Sequence, residues 1–121
     1  MKKYDIVIIG GGPAGVTCAL SAKNIYPDKS IVLIRKEVKP MIPCGIPYVF
    51  NTLNEVADNI LPDNPLIANQ IEVINEEAVG REDHTIALSN GDNIGYEKLV
   101  IATGSKAVMP KIEGASSHPT K

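Results

Sequence analysis

The feature that most constrains this fold is a set of spaced glycines directly after an apolar run. Ile6-Val7-Ile8-Ile9 leads straight into Gly10-x-Gly12-x-x-Gly15, with Pro13 inside the motif. A continuous β-branched run is typical of a strand buried on both faces of a parallel sheet. Proline suits the first turn of a helix, where an N–H has no intrahelical acceptor. The sequence therefore predicts a strand, a tight turn and a helix in succession.

The helix is predicted to end near Tyr26-Pro27, because a residue that precedes proline avoids helical backbone angles. Small residues at helical spacing (Ala14, Cys18 and Ala22) predict the face that packs on the sheet. Residues 30–34 form the second predicted strand, which completes a right-handed strand–helix–strand unit.

The remainder of the chain alternates between a long loop and short strands. Residues 38–65 are predicted as a proline-rich loop with a short helix over about 45–53. Asn90-Gly91 is a hairpin signal. Further strands are predicted at 71–74, 78–79, 85–88, 93–96 and 98–102. We expect an α/β fold, a parallel sheet with an inserted three-stranded antiparallel β-meander, over residues 1–104, followed by a linker over 105–121.

The glycine motif predicts dinucleotide binding. Gly10 permits the tight turn, Gly12 leaves room for a pyrophosphate, and Gly15 lets the helix pack closely on the sheet. N–H groups at the helix start would then face the phosphates. A glycine turn with a purely structural role is the alternative.

The residues after the second strand leave two interpretations open. An acidic residue about 20 positions beyond the glycines usually binds the ribose hydroxyls, but here Arg35 and Lys36 precede Glu37. They are either a solvated charged cluster or ligand contacts. In the second case Arg35 would stack on adenine or contact phosphate, and Glu37 or the backbone would bind the hydroxyls.

Cys44 is the candidate redox residue. It lies in Pro43-Cys44-Gly45-Ile46-Pro47-Tyr48, just before the short predicted helix, whose N-terminus would lower the thiol pKa. A buried, inert thiol is the alternative. Cys18 is predicted to pack against the sheet. We expect no disulfide, which favours the cytoplasm.

Charge, hydropathy and histidine spacing argue against several other classes of protein. A net charge of -2 leaves no basic footprint for nucleic acid, and no apolar run is long enough to span a membrane. His84 and His118 lack companions at ligand spacing, so no metal site is predicted.

Three motifs carry a family resemblance: the glycine turn, the cysteine segment, and Leu99-Val100-Ile101-Ala102-Thr103-Gly104. In register over nearly the whole chain, they resemble the N-terminal FAD-binding region of pyridine nucleotide-disulfide oxidoreductases. A single cysteine followed by Gly-x-Pro-Tyr resembles the branch of NADH oxidase, NADH peroxidase and coenzyme A-disulfide reductase.

The resemblance implies a Rossmann-like FAD-binding domain in which electrons pass from NAD(P)H through FAD to Cys44. The substrate would be oxygen, peroxide or a disulfide such as coenzyme A disulfide, and a full-length relative would be a homodimer. The implied and predicted cofactor contacts are Gly10, Gly12, Pro13, Ala14, Gly15, Arg35, Lys36, Pro43, Val79, Ala102, Thr103 and Gly104.

Two departures concern Arg35, where relatives usually have glutamate, and Pro43, where they commonly have asparagine. The NAD(P)H-binding and dimerisation domains of relatives are not found before Lys121, so we expect a fragment or truncated form that is catalytically incomplete alone. The alternatives are a non-catalytic nucleotide-binding module or one component of a split oxidoreductase. A stand-alone NAD(P)-binding protein is disfavoured by Ala102-Thr103-Gly104 and the meander.

Overall fold

The computed structural model describes residues 1–36 and 64–104. These residues form a six-stranded mixed sheet and two helices, which confirms the predicted fold class. The elements are β1 (Lys2–Ile9), α1 (Pro13–Ile25), β2 (Ile31–Ile34), α2 (Asn64–Ala68), β3 (Glu72–Ile74), β4 (Ala78–Glu82), β5 (Thr85–Leu88) and β6 (Asn93–Ile101). The strand order is β3-β2-β1-β6-β5-β4.

The parallel half of the sheet is centred on β1. Ile8 pairs with Leu33 of β2 on one side and with Val100 of β6 on the other, and β3 extends the parallel pairing beyond β2. The carboxyl ends of these four strands therefore meet at one edge of the sheet. Every residue of β2 is buried, as expected for a strand covered on both faces.

The antiparallel half is the predicted meander, but its last strand differs from the prediction. Two strands were expected at 93–96 and 98–102, whereas the structure has one continuous strand, β6. Its first part pairs with β5, and β1 pairs with it from Ile94 to Ile101. Glu97, the one residue left between the two predicted strands, is exposed. The long pairing with β1 makes the strand continuous through this position.

The two faces of the sheet bury separate clusters, since neighbouring residues of a strand point to opposite faces. Val32 and Ile34 of β2 share one cluster with Ile86 and Leu88 of β5. The same cluster includes Tyr4 and Val7 of β1 and Ile94 and Tyr96 of β6, so it runs across this face of the sheet from β2 to β5. The opposite cluster joins Ile8, Leu33 and Leu66 to helix α1.

Helix α1 begins and ends where the sequence predicts, but its buried face is rotated. Ala14 is exposed, and Cys18 and Ala22 are only half-buried. The buried residues are Gly15, Val16 and Ala19. Because Gly15 has no side chain, α1 can lie directly against the carbonyl of Gly10, and the helix face that carries Gly15 is the buried one.

The end of the predicted loop is also different, because Asn64 and Pro65 belong to helix α2. The helix predicted at about 45–53 and the linker at 105–121 lie outside the described residues. Within the described part of the chain, no helix is both long and apolar enough to cross a bilayer.

Candidate functional site

The glycine turn after β1 is fixed to the strands on both sides. Gly10 adopts a φ of +126°, and its N–H donates to the carbonyl of Ile34 at 2.8 Å. A Cβ atom at Gly10 would collide with the backbone carbonyl of Ala102. The Ala102 N–H in turn donates to the carbonyl of Ile9 at 2.8 Å. These contacts hold the ends of β1, β2 and β6 close together. Such a close approach of two backbones requires a residue without a side chain at position 10.

Gly15 and Gly12 serve opposite purposes in this geometry. A Cβ atom at Gly15 would collide with the carbonyl of Gly10, so its absence allows α1 to pack on the turn. A Cβ atom at Gly12 would meet no heavy atom of the described residues within 4 Å. As far as residues 1–36 and 64–104 are concerned, the space in front of Gly12 is therefore open, and a bound group can reach the backbone there.

The start of α1 provides donors toward that space. An α-helix leaves its first N–H groups without intrahelical acceptors, and its dipole makes this end positive. Gly12 is the N-cap, has no side chain to satisfy those groups, and is followed by Pro13. This arrangement favours an anion such as a phosphate.

A cleft of about 250 Å³ opens beside the turn, at the carboxyl edge of the parallel strands. Its described lining comes from the turn, from the residues after β2 and β6, and from the β3–β4 connection: Ile9, Gly10, Gly11, Ile34, Arg35, Lys36, Glu76, Glu77, Ala78 and Thr103. Strand β1 has β2 on one side and β6 on the other, so this is the point where the strand order reverses. Ligands of open α/β sheets bind at such points.

Arg35 is the most enclosed charged residue of the cleft, with 5% of its surface exposed. Its Nε donates to Asn75 Oδ1 at 3.0 Å, and its backbone N–H donates to the Ile74 carbonyl at 3.0 Å. The interpretation of Arg35 as a solvated side chain is therefore wrong. Lys36, by contrast, is exposed at the cleft.

The structure brings several of the predicted cofactor contacts together. Gly10, Arg35, Lys36 and Thr103 line the cleft, while Gly12 and Gly15 lie at the adjacent helix start together with the exposed Pro13 and Ala14. Ala102 and Gly104 flank Thr103 after β6, with Gly104 at a φ of +70°. Pro43 and Cys44 lie outside the described residues.

Val79, one of the predicted cofactor contacts, lies at the surface. It is 61% exposed and does not line the cleft, whereas Ala78 does. The register of β4 against β5 shifts between Ala78 and Gly80, so the ladder has an irregularity at Val79.

Among the polar and glycine residues of the site, four were not found from the sequence: Gly11, Asn75, Glu76 and Glu77. Gly11 had a signal, since it stands within a run of three glycines. The other three have none, because their position depends on β3 pairing beside β2. Their connection to β4 is held by Ser89, whose Oγ donates to Glu76 Oε2 at 2.7 Å and whose N–H donates to the Glu77 carbonyl at 2.8 Å.

A sheet whose parallel half has a glycine-rich first turn and a cleft at its switch point defines a dinucleotide-binding α/β domain. The family comparison is more specific. Residues 4–121 match the family described as pyridine nucleotide-disulphide oxidoreductase, and the chain belongs to this family. Members of the family bind FAD and use NAD(P)H.

Individual relatives agree with this assignment. The chain is 34% identical over 123 residues to sulfide-quinone reductase of Aquifex aeolicus, covering 99% of this chain and 28% of the relative. It is 32% identical over 119 residues to NADH oxidase of Methanocaldococcus jannaschii, covering 89% and 27%. The solved sulfide:quinone oxidoreductase of Aquifex aeolicus superimposes with a TM-score of 0.78 at 33% identity, covering 89% and 25%. The chain thus spans less than a third of the length of these relatives.

Proposed function

We propose that this chain is the FAD-binding part of an NAD(P)H-dependent flavoprotein oxidoreductase that uses a single redox-active cysteine, Cys44. The observation that carries the proposal is the open approach to Gly12 at the uncapped start of α1, next to the cleft. Backbone donors, a positive helix end and the absence of a side chain are what a dinucleotide pyrophosphate requires.

In the proposed complex the pyrophosphate lies along Gly12, Pro13, Ala14 and Gly15. The adenosine half occupies the cleft, between the glycine turn and the backbone of Ala78 and Val79. Arg35 and Lys36 provide positive charge beside the phosphates and adenosine. Bound FAD would supply a two-electron acceptor to this site. The loop of Ala102, Thr103 and Gly104 would face the cofactor from the end of β6.

Cys44 is proposed to exchange electrons with the flavin, with Pro43 beside it. A thiolate oxidised to the sulfenic acid would be returned to the thiol by two electrons and two protons, with release of water. Oxygen, peroxide and small disulfides are the proposed acceptors. A cytoplasmic homodimer of the protein that contains this domain is part of the same proposal.

The redox proposal is tested by counting electrons. The FAD-loaded chain is treated with peroxide, freed of excess peroxide and titrated anaerobically with dithionite. Flavin takes two electrons and a sulfenic acid takes two more, so four are expected for each FAD. Cys44→Ser should take two, and Cys18→Ser, the matched control, should take four. Equal uptake by the unaltered chain and Cys44→Ser would leave a nucleotide-binding module without a redox thiol.

The donor side is tested by rapid mixing of the FAD-loaded chain with NADH. The sequence contains one G-x-G-x-x-G turn, which the proposal assigns to FAD. Without a second nucleotide site the hydride donor is not held against the flavin, and proximity is worth about 7–11 kcal/mol of barrier. Slow flavin bleaching is expected, while dithionite bleaches it at once. Fast bleaching by NADH would contradict the proposal, because it would mean that these 121 residues hold the nicotinamide against the flavin.

A further inference from the structure

Arg35 is held in the cleft by contacts on two sides of its side chain. Its stem lies against the glycine turn, because a Cβ atom on Gly11 would be 2.7 Å from Arg35 Cβ and 2.8 Å from Cδ. Its Nε donates to Asn75 Oδ1 at 3.0 Å. Gly11 thus leaves room for the stem, and Asn75 fixes the plane of the guanidinium group.

Asn75 is suited to orienting a cation. Its amide is neutral, so this bond directs the guanidinium group without placing a negative charge beside it. Asn75 follows β3, and its backbone neighbour Ile74 accepts the N–H of Arg35 at 3.0 Å. The end of β3 therefore fixes both the backbone and the side chain of Arg35. A cation fixed in advance loses less conformational entropy when it binds a ligand.

The surroundings of Arg35 indicate which ligand group it meets. The guanidinium-bearing side chain lies between the glycine turn and the β3–β4 connection, in the same cleft as Lys36. The turn is the proposed pyrophosphate site. Residues that follow β2 meet the ribose of the adenosine half in dinucleotide-binding domains, so the adenosine end is the group that would extend into this cleft.

We propose that Asn75 is a positioning residue that, with the space left by Gly11, aims Arg35 at the adenosine diphosphate half of the dinucleotide. This inference rests on the proposed FAD-binding function. It explains how a basic residue can replace the acidic residue that usually follows β2 in dinucleotide-binding domains. In this chain the contact comes from a donor group held by a neighbouring strand.

The test is a double-mutant cycle measured by calorimetric titration with ADP, which lacks the flavin. Asn75→Ala should weaken ADP binding roughly fivefold, as expected for loss of one orienting hydrogen bond. In an Arg35→Lys background, which keeps the charge but has no Nε donor, Asn75→Ala should have no further effect. Independent losses that multiply in the double variant would overturn the inference.

Two further variants separate positioning from folding. Gly11→Ala should also weaken ADP binding, and this loss should be smaller in the Arg35→Lys background. Asn24→Ala, an exposed change on α1, should leave the affinity unchanged. If the unaltered chain binds neither ADP nor FAD, the proposed function fails and the inference fails with it. If the unaltered chain binds ADP and Asn75→Ala binds equally well, only the role of Asn75 is overturned.

Discussion

Gly10 lies directly against the backbone carbonyl of Ala102, with no room between them for a Cβ atom. This contact joins the turn after β1 to the loop after β6, so the two loops that flank the cleft lie directly against each other. Gly10 is also at a φ of +126°, which residues with a side chain rarely adopt. Glycine is therefore required at position 10 by the backbone conformation as well as by the contact with Ala102.

Gly10→Ala should lower the free energy of unfolding by roughly 2–5 kcal/mol, since backbone strain and a backbone clash add. Urea unfolding measures the change. Gly91→Ala is the matched control, because Gly91 has a φ of +93° but open space around a Cβ atom. Its loss should be about 1–2 kcal/mol, from strain alone. Equal losses in the two variants would show that the contact with Ala102 contributes nothing.

Acid should destabilise the fold through Glu72, at the edge of the sheet opposite the cleft. The Tyr4 hydroxyl donates to Glu72, and Lys2 Nζ lies 3.1 Å from Glu72 Oε2. The bond from Tyr4, followed by the hydrogen bond from Lys2, lowers the pKa of Glu72 below its ordinary value of 4.5. A lowered folded-state pKa means that the charged form stabilises the fold above pH 4.5, and that this contribution is lost as the pH falls through the folded-state pKa.

The expected result is a melting temperature that decreases as the pH is lowered from neutrality to below 4.5, with a smaller decrease in Glu72→Gln. Melting curves followed by circular dichroism across this range give the comparison. Glu97→Gln changes an exposed carboxylate on β6 and should keep the full decrease. The account of Glu72 is wrong if Glu72→Gln and the unaltered chain lose stability in parallel.

Cys44 should react with iodoacetamide at neutral pH roughly tenfold or more faster than Cys18, if a helix N-terminus lowers its thiol pKa as the sequence predicts. Cys18 is half-buried and packs against the cluster on the α1 face of the sheet. Mass spectrometry of the alkylated chain distinguishes the two thiols. Cys18→Ser should keep the fast phase and Cys44→Ser should lose it. A fast phase that survives in Cys44→Ser would assign the reactive thiol to Cys18.

Local patterns in the sequence were enough to predict β1, α1 and the glycine turn between them. Pro13 and Tyr26-Pro27 mark the limits of α1 directly, because proline restricts its own and the preceding backbone angles. The rotation of α1 was not predictable from small-residue spacing, since it follows from the contact of Gly15 with the Gly10 carbonyl. That contact exists only once the turn has formed.

The missed parts of the site depend on partners distant in the sequence. Arg35 and Asn75 are 40 residues apart, and nothing near either residue indicates that they pair. The interruption predicted at Glu97 disappears once the pairing of β6 with β1 is known. Sequence patterns thus located the glycine turn and the loop after β6, whereas the strand order determined which side chains complete the cleft.

The central claim is that the open backbone at Gly12 binds the pyrophosphate of FAD. Calorimetric titration of the chain and of Gly12→Ala with FAD tests it most directly, because the added methyl group meets no atom of the described residues and should change stability by less than about 1 kcal/mol. We predict one FAD for each unaltered chain, displaced by ADP, and binding at least roughly tenfold weaker in Gly12→Ala with its fold intact. Equal FAD affinity in the two chains, or no binding to the unaltered chain, would contradict the account.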